Sequence, residues 1–385
     1  MKRLFLALAL PLTAFAAAAP AAAQLDFLPP AGANQVAEVT QWMGPVSVTV
    51  RYSSPDVHSP SGDDRSGHIW GELVPWGIAP NPFFPGYGTA ENIPWRGGAN
   101  MNTTIRFSHA VEVEGQPLAA GAYGLHFIPG AEEWTVIFSN DSNNWGSFFY
   151  EPANDALRVT VKPAPAEYRE WLTYDFAARE LESTELGLHW ERLRLPIRIA
   201  VPNLSDLLVE LADDRLGGGK IPAGVWQNWA SAAQALLARQ ARPEKSLEYA
   251  QQANSVGGPN FQTLSLLSQA QDANGQEAEA AATFEQALAH PTATAGQIHQ
   301  TGRQLLAAGK KEDAMRVFKA NYDRFEGGWP TEVGMVRGLS ALGHYAEAVE
   351  HAKKALEQAR AQNDEVNARS LEAMIPRLEA GQDVN

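Results

Sequence analysis

The chain has 385 residues, a formal net charge of −14 and no cysteine. That length can build two separate hydrophobic cores. The lack of cysteine excludes disulfide bonds, thiolate metal sites and thiol catalysis, and the negative charge disfavours binding to the phosphate backbone of nucleic acids.

The first 23 residues have the layout of a secretory signal peptide. Lys2 and Arg3 precede a short apolar run at 4–12, and small residues lead to three alanines at 21–23. The run is shorter than the roughly 20 apolar residues that span a membrane. We therefore expect residues 1–23 to be removed on export, leaving a periplasmic or secreted protein without a membrane span.

From residue 46 to about 201, apolar and polar side chains alternate with a period of two, which is typical of strands with one apolar face. We predict an antiparallel β-sandwich-like domain over residues 24–201. Eight of the 11 tryptophans fall in this domain, where core packing is their common use. The alternating apolar positions are Val46, Val48 and Val50; Ile105, Phe107, Val111 and Val113; Trp134, Val136 and Phe138; Leu157, Val159 and Val161; Leu186, Leu188 and Trp190; and Ile197, Ile199 and Val201.

The chain changes character after Pro202. Residues 202–225 are predicted to form a helix and a glycine-rich linker, and residues 226–385 are rich in good helix formers. This last segment repeats every 34 residues, the period of tetratricopeptide (TPR) repeats. We predict an α-helical solenoid of four TPR-like repeats with a closing helix, so that the whole chain is a multidomain β plus α protein. The columns in register are Ser246, Ala280, Ala314 and Ala348; Ala250, Phe284, Phe318 and Ala352; Ala253, Ala287, Asn321 and Ala355; and Gly275, Gly309 and Gly343.

Short motifs in the β domain match a known family in order and spacing. They include Arg51-Tyr52-Ser53-Ser54-Pro55, His68-Ile69-Trp70-Gly71, Trp95-Arg96-Gly97-Gly98-Ala99-Asn100 and Glu133-Trp134-Thr135-Val136-Ile137-Phe138. Through them, about residues 33–200 resemble the bacterial domain of unknown function DUF2911. The resemblance implies the fold and an exported setting, and it brings no assigned reaction. Residues 78–94 depart from it, because many members have almost nothing there, and Met101 stands where the family often has an acidic residue.

The β domain contains several candidates for ligand binding. Arg96 and Asn100 lie in a glycine-rich turn, where guanidinium and amide groups suit a carboxylate or a sugar hydroxyl. Trp70 and Trp145 lie in loop-like contexts and could stack on a glycan, while His126 lies in a strand. The competing interpretations are a buried ion pair for Arg96, core packing for the tryptophans and a structural role for His126.

A polar stretch at 57–67 and its flank offer the candidates for a metal site. His58, Asp63, Asp64 and His68 combine imidazoles and carboxylates at loop spacing, which could suit zinc or copper. The competing interpretation is an ordinary solvated loop, and our prediction is that the chain has no metal site and no cofactor.

The first helices of the repeats supply the candidates for partner binding. Gln269, Arg303 and Arg337 occupy equivalent positions 34 residues apart, and His299 lies one helical turn before Arg303. Two arginines in register could accept an acidic or C-terminal carboxylate of a peptide. A merely solvated helix face is the alternative.

These patterns favour an exported, non-catalytic binding or scaffolding protein that holds a protein or peptide on its repeats. No nucleophile elbow, zinc-protease helix, phosphate loop or dinucleotide turn is present in the sequence, which favours a binding protein over an enzyme. The alternative is a metal- or ligand-dependent enzyme, or a carbohydrate-binding protein, with its site in the β domain.

Overall fold

The structure, a computed structural model, describes residues 34–59 and 61–385, so the predicted signal peptide lies outside the described residues. The chain divides into two compact units, with the boundary between Pro202 and Asn203. We call residues 34–202 the β unit and residues 203–385 the helical unit.

The β unit is built from antiparallel strands that form two main sheets. Among the described residues its strands are β1 (Gln35–Met43), β2 (Val46–Ser54), β3 (Ala79–Pro80), β4 (Asn92–Ile93), β5 (Thr103–Phe107), β6 (Val111–Val113), β7 (Gln116–Leu118), β8 (Gly121–Ile128), β9 (Trp134–Ser139), β10 (Asp155–Val161), β11 (Ala164–Ala177) and β12 (Ser183–Ala200).

One sheet has the strand order β1-β2-β5-β8-β9-β10, the other has the order β11-β12-β6-β7, and β3 pairs with β4. Side chains of the two sheets meet in a shared core; the rings of Tyr52 and Tyr174, for example, lie 4.8 Å apart. This arrangement confirms the predicted antiparallel β-sandwich-like domain.

The alternating run at 103–113 is two strands in different sheets. The chain turns a corner at residues 108–110, where the backbone N–H of Ser108 donates to the carbonyl of Ser47 and the ring of His109 contacts the Ser108 hydroxyl. The turn lets β5 and β6 present their apolar side chains to one core from two sides.

The helical unit contains pairs of helices joined by short turns. Its described helices are α1 (Leu204–Ala212), α2 (Trp226–Leu237), α3 (Pro243–Gly257), α4 (Phe261–Ala273), α5 (Glu277–Ala289), α6 (Ala295–Ala307), α7 (Lys311–Arg324), α8 (Trp329–Ala341), α9 (Tyr345–Ala361) and α10 (Glu365–Glu379). Among the described residues, no helix has the length and apolar character that crossing a membrane requires.

The 34-residue register sets the packing of these pairs. Every member of the first column, from Ser246 to Ala348, is buried on the second helix of its pair. Gly275, Gly309 and Gly343 end the preceding turns with φ of 73°, 76° and 81°, the left-handed backbone that glycine adopts most readily. The TPR-like arrangement of the helices is thereby confirmed.

The segment predicted as helix and linker packs on the first pair. Leu208 and Val209 of α1 lie against the core that α2 and α3 form, and Tyr249 donates its hydroxyl to Asp213, 2.7 Å away. A π-helical turn, Asp213–Gly217, then leads toward α2.

Candidate functional sites

Trp70 lies in a cluster of four tryptophans inside the β unit. Its ring centroid is 5.1 Å from that of Trp134 and 5.8 Å from those of Trp95 and Trp190. Trp134 and Trp190 are fully buried, and the indole N–H of Trp70 is buried without a partner among the described residues. The geometry of Trp70 is therefore that of core packing. Two other tryptophans, Trp76 and Trp145, remain 46% and 47% exposed.

The turn after Trp95 is shaped by close packing of its glycines. A Cβ at Gly97 would lie 2.6 Å from the Tyr174 hydroxyl, and one at Gly98 would lie 2.7 Å from the carbonyl oxygen of Ser53. The carbonyl of Gly97 accepts hydrogen bonds from Thr103 and Tyr174. These contacts fix the backbone from which the Arg96 side chain projects.

The guanidinium group of Arg96 is half-buried and lies between an aromatic ring and a glycine. Its Cζ is 4.8 Å from the centre of the Phe148 ring, and a Cβ at Gly146 would overlap the guanidinium atoms. Nη1 donates a hydrogen bond to the carbonyl oxygen of Asn100, 2.7 Å away. Asn100 itself has a left-handed backbone conformation, with φ of 59°. Among the described residues the Arg96 side chain forms no ion pair, so the buried ion pair considered for it is not found there. Burial lowers the pKa of Arg96.

His126 lies close to this guanidinium but is sealed from solvent. Its ring is 3% exposed, and Nδ1 lies 2.8 Å from the hydroxyl of Ser147, which is also buried. Burial, and then the charge of Arg96, lower the pKa of His126 from 6.5 to about 4. His126 is therefore neutral near pH 7 and adds no charge to the site.

Arg96 forms part of the lining of a pocket of about 340 Å³, here called the Arg96 pocket. Most of the other lining side chains are apolar, and part of the wall comes from the segment 78–94. The lining residues are Leu73, Pro75, Gly77, Ala79, Pro80, Pro82, Phe83, Ile93, Pro94, Trp95, Arg96 and Phe148.

The four predicted metal candidates have separate partners, and only His58 and Asp64 contact each other. His58 contacts Glu170 at 2.9 Å and Asp64 at 3.4 Å, while His68 contacts Glu72 at 2.9 Å. Asp63 instead accepts hydrogen bonds from Ser59 and Ser61. Within the described part of the chain, no group of three or more such side chains could hold a metal ion.

The first helices of three repeats line a groove of about 460 Å³, here called the glutamine groove. Seven of its 14 lining residues are glutamines, and none of the 14 is ionisable. The glutamines are Gln227 and Gln234 of α2, Gln262 and Gln269 of α4, and Gln297, Gln300 and Gln304 of α6.

A cleft of about 410 Å³ opens beside the groove, between the pair α4–α5 and the pair α6–α7. It shares Gln269, Thr301 and Gln304 with the groove. We call it the Phe284 cleft, after the ring in its wall. At the equivalent place one repeat later, Phe318 is fully buried among Gly302, Gly334 and Gly338. One repeat earlier, the residues equivalent to these glycines are Ser268, Gln300 and Gln304, which carry side chains where the later repeat has bare backbone.

The remaining partner-binding candidates lie together near α8. His299 is half-buried against Phe318, and burial, followed by the charges of Arg337 and Arg303, lowers its pKa to about 4. Arg303 is exposed, whereas Arg337 contacts the side chain of Asn385 at 3.5 Å. The charges of both arginines act on His299, and Arg337 is already hydrogen-bonded to Asn385 through its side chain and its carbonyl.

The glutamine groove and most of the Arg96 pocket were not among the predicted sites. Glutamines at positions 297, 300 and 304 follow helical spacing, so the sequence already indicates a polar face on this helix. Phe148 gave no such signal, because its contact with Arg96 joins segments 52 residues apart in sequence.

The fold is that of an antiparallel sheet domain followed by TPR-like helical repeats. Residues 34–199 match the family model described as a protein of unknown function, DUF2911. The helical region weakly resembles solved structures of MamA: a crystal structure of MamA protein (14% identity, TM-score 0.27, 42% of this chain and 94% of that chain) and MamA 41-end from Desulfovibrio magneticus RS-1 (16%, 0.24, 41% and 97%). No curated protein matches the chain.

Proposed function

We propose that the protein is an exported, non-catalytic binding protein whose helical unit holds an extended peptide segment of a partner protein. The observation that carries this proposal is the glutamine groove, which crosses the first helices of three repeats. Each glutamine amide offers two donors and an acceptor, so a row of them can pair with the N–H and C=O groups of an extended backbone.

The Phe284 cleft gives such a peptide a place to anchor. Its wall combines Phe284 and Leu305 with small residues of α5, and it opens directly from the glutamine groove. One apolar side chain of the peptide can enter it while the backbone lies along the glutamines. Arg303, exposed on the next face of α6, is available for an acidic residue of the same segment.

The test is peptide display against the full chain, followed by affinity measurements on the enriched peptides. The variant Gln269→Glu/Gln300→Glu/Gln304→Glu is expected to lose at least about tenfold in affinity, because it removes amide donors and adds unpaired charge to the groove. Arg303→Glu is expected to weaken only those peptides that carry an acidic residue.

The matched control is Gln251→Glu/Gln252→Glu/Gln362→Glu, which makes the same charge change at exposed positions outside the groove. It should bind the enriched peptides like the wild type. The proposal is wrong if display enriches no peptide, or if the groove variant binds as well as the control.

Export is a separate part of the proposal and is supported by the sequence of residues 1–23 alone. Protein recovered from the periplasm or the medium should begin at Gln24. Material that retains Met1 and stays in the cytoplasm would contradict export without touching the peptide-binding proposal.

A further inference from the structure

The Arg96 pocket lies in the other unit of the chain and needs a different ligand from a peptide. Arg96 is the only ionisable residue in its described lining, and its guanidinium makes one hydrogen bond to the described protein, through Nη1 to Asn100. Its other N–H groups have no protein partner there. A half-buried cation without a carboxylate is the arrangement expected where an anion from outside completes the pairing.

We propose that this pocket binds a small organic molecule with one carboxylate and an apolar body. The single guanidinium charge matches the single charge of a carboxylate, and the fork of Arg96 can grip both carboxylate oxygens. A phosphate monoester carries nearly two negative charges at neutral pH, and the neutral His126 supplies no second cation.

The walls of the pocket define the rest of the ligand. Leu73, Pro80, Phe83 and Ile93 surround a space of about 340 Å³, which lies at the small end of ligand pockets. A body of the size of one aromatic ring or a short branched alkyl chain fits that volume and those walls. An ion as small as acetate would leave most of the apolar wall uncovered.

The position of Arg96 is set before any ligand arrives. The guanidinium of Arg96 packs on the Phe148 ring, and the missing side chain of Gly146 leaves space for it. The carbonyl of Asn100 accepts a hydrogen bond from Nη1 and orients the group. An arginine held in this way loses little conformational freedom on binding, which favours affinity for a small ligand.

The experiment measures binding of four probes to the full chain by NMR titration up to about 10 mM, a range that detects millimolar dissociation constants. The probes are phenylacetate, phenylacetamide, acetate and phenyl phosphate. Phenylacetate is expected to bind at least about tenfold more tightly than each of the other three, because only it combines the single charge with the apolar body.

Variants locate the binding. Arg96→Met should reduce phenylacetate affinity about tenfold to a hundredfold, the range for a charged hydrogen-bonding partner, and Arg96→Lys should recover part of it. Arg106→Met, which removes an exposed arginine of β5, should change nothing. Phe83 is 56% exposed, so truncating it should cost little stability; Phe83→Ala is expected to weaken binding severalfold, while Ile78→Ala, outside the lining, should not.

Three results would overturn the proposal: no binding of phenylacetate to the wild type, equal binding of phenylacetate and phenylacetamide, or tighter binding of phenyl phosphate. If Arg96→Met does not fold, the exposed pair Phe83→Ala and Ile78→Ala still decides whether binding occurs in this pocket. None of these outcomes depends on peptide binding by the helical unit.

Discussion

At the scale of single residues, burial separates four of the histidines into two classes. His126 is buried and His299 is half-buried, each near arginine, and both have a pKa lowered to about 4. His58 and His68 are exposed, and each donates a hydrogen bond to a carboxylate, Glu170 and Glu72 respectively, which raises the pKa of each ring. The same side chain is thus neutral inside each unit and readily protonated on the surface of the β unit.

An NMR titration of the histidine rings should separate these classes. His126 and His299 are expected to stay neutral until the pH falls to about 4, whereas His58 and His68 should protonate above 6.5. A titration of His126 near 6.5 would show that its ring is solvated.

The lowered pKa of His126 also predicts how stability depends on pH. The unfolded chain binds this proton more tightly than the folded chain does, so the contribution is complete above pH 6.5 and is lost as the pH falls toward about 4. The full loss is on the order of 3 kcal/mol. His126→Gln, which can keep a hydrogen bond to Ser147, should flatten this part of the pH profile in denaturation experiments.

At the scale of elements, the first repeat turns differently from the others. Its turn between α2 and α3 has Ala241 where the later repeats have glycine, and the positive φ angles fall on Gln240 and Arg242 instead, at 50° and 48°. Residues with a Cβ pay about 1–2 kcal/mol for that conformation.

Glycine placed at the strained position should therefore stabilise the helical unit. Gln240→Gly is expected to add about 0.5–1 kcal/mol to the free energy of unfolding, after allowing for the extra freedom of the unfolded chain. Ala241→Gly restores glycine at the repeat position but relieves no positive φ angle, so it should lower the free energy of unfolding instead. Thermal unfolding followed by circular dichroism compares the two variants, and a reversed order would contradict the assignment of strain.

Close packing around Phe318 gives a second test at this scale. A Cβ at Gly302 would overlap the Phe318 ring, so Gly302→Ala should lower the free energy of unfolding by about 1–3 kcal/mol. Gly296 lies on the same helix with open space around it, and Gly296→Ala should be neutral or slightly stabilising. Equal effects of the two substitutions in chemical denaturation would show that the ring can move aside.

The elements themselves were largely predictable, because each rests on a local period. In β12 the buried apolar side chains stand at even positions up to Trp190 and at odd positions from Leu195. The change falls near Glu191, where φ is 53° and the register with β11 shifts. That bulge was visible in the sequence as two runs out of phase. The Arg96 pocket was not predictable, because its walls come from residues 73–96 and 148, which no periodicity connects.

At the scale of the whole molecule, each unit has its own core and its own spectroscopic signal. Eight of the 11 tryptophans lie in the β unit. All ten described α-helices, α1 to α10, lie in the helical unit. Tryptophan fluorescence therefore reports mainly on one unit and helical circular dichroism on the other.

Core substitutions should move these two signals separately. Leu125→Ala in β8 should lower the free energy of unfolding of the β unit, followed by fluorescence, by about 2–5 kcal/mol. The midpoint of the helical circular dichroism signal should stay unchanged. Ile298→Ala in α6 should do the reverse. If either substitution moves both midpoints together, the two units unfold as a single cooperative system.

The glycines around Phe318 also bear on how such an array can change in evolution. Phe318 belongs to the third repeat, which is formed by α6 and α7. Gly334 and Gly338, whose lack of side chains leaves space for its ring, belong to the fourth repeat, formed by α8 and α9. A copy of the fourth repeat placed after the first, where the residue equivalent to Phe318 is Ala250, would bring glycines without a ring to fill the space between them. The third repeat placed before any other neighbour would meet side chains where it needs bare backbone. Recombination at this junction must therefore carry the two repeats as a pair, although the 34-residue spacing makes every repeat look interchangeable.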